Sequence, residues 1–309
     1  MIALYLLDKP VYDITGNNIL NYNLLPTMMK TDNVEVLPNL FWLWYRRRNA
    51  SSTNSEARSL RRLKGDRNEL LNDHYHLSLS DSYWIKDSSN NITFAETSPY
   101  FNQFWQGATD YDNSAVPTLK VTGARTKKWI SSKTMMKAYN EEELLVSDLL
   151  TKLDIAHAKC KRCRDKRFIE IENITTSSLM LEEMDKTGLI PENFEFEDVI
   201  KAFPKYEYQI RRMIFIDTIV ANPDRHWVNF GHLRSTSTGE SICFAPLYDF
   251  DYALYTKSES NAQFAETLYY CSSPEFISIA EQILTLDTLD VFKRRAQVFL
   301  KGVHDEAIL

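Results

Sequence analysis

No run of about 18 apolar residues occurs in the chain, which excludes a transmembrane helix on the usual length requirement. The apolar start from Ile2 to Leu7 is too short and wrongly flanked for a secretory signal, so the expected location is the cytoplasm. Cysteine is scarce. Four residues, Cys160, Cys163, Cys243 and Cys271, in a chain of 309 do not make a disulfide framework. Cys160-Lys161-Arg162-Cys163 is a lone CxxC without a nearby second pair, and zinc there would need distant ligands such as His157. Positive charge is also short: the formal net charge of −6 argues against broad nonspecific nucleic-acid binding, because neutralising phosphates needs a basic face. No repeat or low-complexity tract is visible.

With 44% hydrophobic and 12% aromatic residues, the chain can bury one large core or two moderate ones, and two lobes are expected. A local basic stretch runs from Arg46-Arg47-Arg48 through Arg58, Arg61, Arg62 and Lys64 to Arg67. It reads as a solvated loop and helix face, with an acidic partner or a nucleic acid as the alternative. Residues 1–105 alternate short apolar runs with Asn and Asp turns, then a helix-like Phe41 to Tyr45, which predicts a small α+β region. Gly107 to Pro117 reads as a linker. A hairpin is predicted from Leu119–Thr122 and Trp129–Ile130 around Gly123, followed by a short strand at Thr134–Lys137. Leu144, Leu145, Leu149 and Leu150 share one face of a predicted helix over 141–153, and a strand follows at 167–173. Beyond Thr175 the chain is read as mainly helical. Ile210, Met213, Ile214 and Val220 lie at helical spacing, and two more amphipathic helices are read between Phe276 and Val303.

The most informative stretch is Asn222-Pro223-Asp224-Arg225-His226-Trp227-Val228-Asn229, followed after one hairpin's length by Pro246-Leu247-Tyr248-Asp249-Phe250-Asp251. An acid, an Asn five residues on and a second acid beyond an apolar run are what phosphoryl transfer from a metal-bound nucleotide needs. Magnesium prefers hard oxygens and keeps several waters, so a protein supplies one or two groups, here Asn229 and Asp249. Asp224 is placed to orient the attacking hydroxyl, where positioning contributes more than basicity. His226 is read as a brace for the loop. Asp251 is a second candidate for the metal. An Asn-Pro-Asp turn explains Asn222 and Pro223 equally well, but a turn does not ask for the second acid.

These two runs resemble the catalytic and metal loops of HipA-like serine/threonine kinases, the bacterial toxin-kinase family. Leu79-Ser80-Asp81-Ser82-Tyr83-Trp84-Ile85-Lys86 resembles a segment closing the small N-terminal region of short members. Phosphatidylinositol kinases share a similar Asp-Arg-His-x-x-Asn run. The resemblance implies an α+β, two-lobed protein-kinase-like fold: a small N-terminal α+β region at 1–105, a kinase N-lobe at 106–175 and a mainly helical C-lobe at 176–309. It implies ATP and Mg2+ as cofactors and a protein substrate. Toxin members pair with a small helix-turn-helix antitoxin, and a membrane partner is not expected.

The layout also assigns phosphate-binding parts. Lys137 occupies the strand before the helix, where the family presents a Lys to the α and β phosphates. Glu143 is the helix acid that would hold it, with Glu142 as the alternative. Thr122 and Gly123 lie in the candidate phosphate-covering loop, with Lys127 or Lys128 adding charge; Thr122 and Thr126 are hydroxyls for the family's autophosphorylation site. Glu170 and Ile171, in the run Glu170–Asn173, would meet adenine through their backbone. Where many kinases have Asp-Phe-Gly, this chain has Asp249-Phe250-Asp251, without the glycine. The rival readings are a catalytically silent nucleotide- or partner-binding module of the same fold, and a lipid kinase.

Overall fold

The computed structural model describes residues 1–49, 76–101, 127–254 and 261–306. In chain order the strands are β1 (Ile2–Leu6), β2 (Lys9–Asp13), β3 (Asn18–Ile19), β4 (Tyr83–Asp87), β5 (Lys127–Ser131), β6 (Thr134–Ala138), β7 (Cys160–Arg162), β8 (Phe168–Glu172), β9 (Leu179–Glu183), β10 (Gly231–Ser235) and β11 (Ser241–Phe244). The helices are α1 (Leu37–Asn49), α2 (Phe94–Thr97), α3 (Glu141–Lys152), α4 (Phe196–Ala202), α5 (Glu207–Ile219), α6 (Asn261–Cys271), α7 (Pro274–Thr285) and α8 (Asp290–Glu306). The fold is mixed α and β. None of these helices is long and apolar enough to cross a membrane.

The chain divides into two compact units, each discontinuous in sequence. Unit 1 takes 1–139, 163–191 and 231–245; unit 2 takes 140–162, 192–230 and 246–309. The linear division read from the sequence differs from this partition: the predicted N-lobe helix α3 lies in unit 2, and β9 to β11 lie in unit 1.

Unit 1 holds an antiparallel sheet of order β3-β2-β1-β4, in which Leu4 faces Tyr12 on one side and Ile85 on the other. Leu4, Leu6, Val11 and Tyr12 bury against Phe41, Trp44 and Tyr45 of α1. Phe41 and Tyr45 stack at 6.0 Å between ring centroids, as an i, i+4 pair on one helix face allows. The basic end of α1 turns inward. Arg48 grips Asp81 with Nε to Oδ2 at 2.7 Å and Nη2 to Oδ1 at 2.8 Å, and also donates to the carbonyls of His76 and Tyr83. Arg47 donates to the carbonyl of Asp185. These two arginines are therefore structural donors, which corrects their reading as part of a solvated basic face. The stretch Arg58 to Arg67 lies outside the described residues.

β5, β6 and β8 lie side by side, with Lys137 opposite Lys127 and Ile169. Beyond Thr175 the helical expectation fails at Leu179–Glu183, which is strand β9. Leu-Met-Leu-Glu-Glu carries strong helix formers, but pairing with β10, Leu181 against Leu233, supplies hydrogen-bond partners that propensity does not anticipate. Glu182 of β9 is buried and accepts from Arg234 Nη1 at 2.9 Å and from the Thr27 hydroxyl at 2.5 Å.

Unit 2 is built around α5. Ile210, Met213, Ile214, Phe215 and Ile216 are buried, and Phe215 packs edge-on to Phe299 of α8 at 5.0 Å and against Phe276 of α7 at 5.6 Å. α7 and α8 fall where the two amphipathic helices are predicted, whereas α6 is not foreseen. α5 ends at Ile219 with Val220 as its cap; Ala221 just beyond takes a left-handed φ of 50°, and Pro223 bars continuation.

Candidate active site

The sequence stops α5 at the point where the Asn222–Asn229 loop must begin, and buried polar groups then fix that loop. Asp217, on the last turns of α5, is 5% exposed. Its Oδ1 accepts from Asn222 Nδ2 at 2.8 Å and from Arg225 Nη2 at 2.9 Å, and its Oδ2 accepts from Arg225 Nε at 2.8 Å. The Arg225 guanidinium, 4% exposed, spends its remaining nitrogen on two carbonyls: Nη1 donates to Asn229 O at 2.6 Å and to Tyr248 O at 2.9 Å. Two loops separated by the β10–β11 hairpin thus share one nitrogen, which pins their backbones within a few ångström. Phe250 lies under the same guanidinium at 5.0 Å. Charged and doubly hydrogen-bonded on both sides, Arg225 is held in its ionised form.

Asn229 is buried at 5% exposure, and its Nδ2 donates to the Asp224 carbonyl at 3.0 Å, leaving Oδ1 as the acceptor end of the amide. Its backbone N–H closes a turn onto His226 O at 2.8 Å. The Asp224 carboxylate is part-exposed, with His226 Nε2 at 3.8 Å from Oδ2. Burial pushes the Asp224 carboxyl above its usual range; His226 and Arg225 oppose that, while the negative charges of Asp249 and Asp251 add to it. Asp249, Asp251 and Asp224 therefore act within one electrostatic neighbourhood.

Asp249 has a φ of 56°, a left-handed conformation that Asp tolerates better than most residues but that is unusual outside glycine. Its neighbours fix it: Tyr248 by its hydroxyl on Val228 O at 3.2 Å, and Phe250 beneath Arg225. The cost of a left-handed Asp249 is thus offset by packing on both sides of the acid, while Asp251, which stands where the glycine is missing, is not among the residues with positive φ.

A third acid arrives from α3. Asn140, 1% exposed, caps that helix through Oδ1, which accepts from Glu143 N at 3.3 Å. The same side chain donates through Nδ2 to the Asp251 carbonyl and to Asp251 Oδ1, both at 3.2 Å. One amide thus ties the start of α3 to the metal-loop segment. Of the three acids in the first turn, Glu143 is the buried one, at 3% exposure. Ligand oxygens of Glu143, Asp249 and Asp251 lie within 4.8 Å of one another, the one such His/Cys/Asp/Glu group among the described residues. Like charges so close repel unless a cation or proton intervenes. The donor set, three carboxylates, is the hard-oxygen kind that suits a divalent cation such as magnesium.

The sequence-named residues divide as follows. Asp224, His226, Asn229, Asp249 and Glu143 all lie in unit 2, with Asp251 beside them. Lys137 is a 1% exposed lysine on β6 of unit 1. Glu170 and Ile171 sit in the middle of β8, opposite Met136 and Met135 of β6. Thr122, Gly123 and Thr126 lie outside the described residues. The cysteines do not join the acidic group, and His157 is engaged elsewhere, by Ser147 Oγ at 3.0 Å and the Ile155 carbonyl at 2.7 Å. Sequence reading missed Arg225 and Asn140. An Asn three residues before Glu143 at the start of an apolar helix is a capping signal that pointed to the second.

No protein-family model and no curated protein matches the chain. Among solved structures it is similar to the Helicobacter pylori proinflammatory kinase CtkA, at 15% identity and a TM-score of 0.36 over 60% of this chain and 88% of that one. It is also similar to a chain of the Shewanella oneidensis MR-1 toxin–antitoxin HipA, HipB and operator DNA complex, at 12% identity and a TM-score of 0.49 over 99% and 97%. At those TM-scores neither neighbour carries an argument about residues or activity. In sequence motif and in matched structures alike, the chain is similar to HipA-like kinases.

Proposed function

We propose that the protein is an ATP- and magnesium-dependent serine/threonine protein kinase of HipA-like type. The observation that carries this reading is the Arg225 clamp: it joins the loop bearing Asp224 and Asn229 to the loop bearing Asp249 through two carbonyls on one nitrogen. A chain that needed only two surface turns has no reason to bury an ion pair there.

Asp224 accepts a hydrogen bond from the substrate hydroxyl and orients it toward the phosphoryl group. His226 braces the loop through its backbone, donating to the Asp224 carbonyl at 3.0 Å and accepting from Asn229 N at 2.8 Å. Asn229 and Asp249 would hold magnesium, with Asp251 as an added oxygen donor. When bound, magnesium neutralises charge on the nucleotide phosphates. Lys137 would meet the α and β phosphates, steadied by Glu143. Thr122 and Gly123 would cover the phosphates, and the backbone of Glu170 and Ile171 would meet adenine. ATP is the phosphoryl donor, and a protein Ser or Thr the acceptor. A helix-turn-helix antitoxin partner belongs to the toxin form of this reading.

Asp224→Ala should abolish phosphate transfer to a protein substrate or to the enzyme itself while retaining the stabilisation by Mg-ATP. At about 100 times the dissociation constant that stabilisation is roughly 2.7 kcal/mol. Asp249→Ala should lose the magnesium-dependent part of the shift. Near-wild-type turnover in Asp224→Ala would remove the assignment, and the absence of any Mg-ATP shift in the wild type would favour a partner-binding module.

A further inference from the structure

Asn140 opens unit 2 and carries two tasks on one side chain. Its Oδ1 accepts from Glu143 N at 3.3 Å, which is the cap of α3. Its Nδ2 donates at 3.2 Å to the Asp251 carbonyl and at 3.2 Å to Asp251 Oδ1. Asp or Ser would cap a helix as well as Asn does. An Asp carboxylate, however, has no proton to donate when ionised and would set a further negative charge against Asp251, and a hydroxyl has one oxygen for both tasks. An amide, with acceptor and donor on separate atoms, meets both demands. At 1% exposure neither half of it is spent on solvent.

The two bonds on Nδ2 end on the main chain and the side chain of the same residue. Such a grip closes a ring through Asp251, so its carboxylate cannot swing away without breaking a hydrogen bond of a buried amide. The backbone beneath is fixed as well. Ala253 N donates to Phe250 O at 3.1 Å, which places Asp251 in a turn, and Leu254 N donates to Val220 O at 2.9 Å, which anchors that turn to the end of α5. The held carboxylate stands with those of Glu143 and Asp249, one oxygen of each lying within 4.8 Å of the others. Three acids at that separation are opposed by their own charge. Asn140 therefore holds in place what repulsion would disperse, and it does so from outside the ligand set, the position from which outer partners orient metal ligands.

We propose, resting on the magnesium part of the reading above, that Asn140 is a positioning residue for the cation and acts through Asp251, whose carboxylate it presents to the magnesium held by Asn229 and Asp249. Asp251 is then a ligand whose direction is set by the first residue of unit 2. Because the same amide caps α3, the acid that α3 supplies, Glu143, is delivered with it. Loss of the amide donor with the cap retained should weaken the cation and leave the helix.

The test uses the full chain at a fixed, saturating concentration of ADP, with magnesium titrated in from EDTA and the melting temperature followed. The wild type should show a magnesium-dependent rise with a definite midpoint. Asn140→Ser keeps a good cap and removes the amide donor, so its melting temperature in EDTA should stay at the wild-type value while the magnesium midpoint rises about tenfold. Asp251→Ala, which leaves the cap untouched, should raise the midpoint by a similar factor. The double variant should rise no further than Asp251→Ala alone, because both changes act on one contact. A wild-type midpoint in Asn140→Ser, or rises that multiply in the double variant, would overturn the proposal. If Asn140→Ser does not fold, a wild-type midpoint in Asp251→Ala overturns it instead. Unmoved midpoints with transfer of labelled phosphate from ATP intact would keep the kinase and sink the role of Asn140. No magnesium-dependent rise in the wild type would sink the magnesium reading and the proposal together.

Discussion

At the scale of single residues, Arg225 makes the site one object. It was an unremarked member of the Asp-Arg-His run in the sequence, yet it is the side chain that bonds Asp217, Asn229 and Tyr248 together. Arg225→Met leaves Asp217 buried and uncompensated, and should destabilise the fold by about 3–5 kcal/mol in urea denaturation. Adding Asp217→Asn should recover part of that loss, because the two changes act on one pair. A second residue sets a pH dependence. Burial, then Glu183, pushes Asp185 from 3.8 up to about 7, against the opposing charges of Lys186 and Arg47, and its Oδ1 has no hydrogen-bond partner among the described residues. A raised carboxyl binds its proton more tightly in the folded state, so its contribution is full below 3.8 and is lost as pH rises through about 7. Asp185→Asn should therefore gain urea midpoint relative to wild type at about pH 8 and show no such gain at about pH 4. An equal difference at both values would contradict the assignment.

At the scale of elements, hydrophobic periodicity located α3, α7 and α8 by the stripe each buries, and located α5 although that helix is buried on every face from Met213 to Ile219. It failed at β9, where the strand exists because β10 lies beside it. Gly231 shows how close that pairing is. A Cβ there would stand 2.4 Å from the Glu182 carbonyl oxygen and 2.9 Å from Glu183 Cα, both backbone atoms that side-chain rotation does not relieve. Gly231→Ala should force β9 and β10 apart and lower stability by about 1–3 kcal/mol, with hydrogen exchange accelerated in those two strands first. Protection unchanged in β9 would argue against this contact. The α3 cap belongs to the same scale: Asn140 both starts the helix and holds Asp251, so Glu143 reaches Asp249 and Asp251 through a helix terminus.

At the scale of the whole molecule, the chain passes from one unit to the other after Tyr139, Arg162, Pro191, Phe230 and Ala245. Neither unit is a continuous segment. A fragment spanning 192–309 would therefore lack α3 and would carry β10 and β11 without β9, exposing a strand edge that the full chain pairs. Expressed alone, it should aggregate or unfold without cooperativity in circular dichroism, and a sharp two-state transition would refute that expectation.

The sequence by itself determined the chemistry on offer: an acid, an amide and a second acid at a spacing that suits a nucleotide-bound cation, and helices whose apolar stripes announce their buried faces. Such information is local, because spacing along a loop or a helix face is fixed by covalent geometry. Tertiary structure alone decided which acids meet and that Arg48 and Arg225 are buried donors. Those outcomes depend on residues brought together across long stretches of chain by packing and by the need to satisfy buried charge, and no local pattern encodes them.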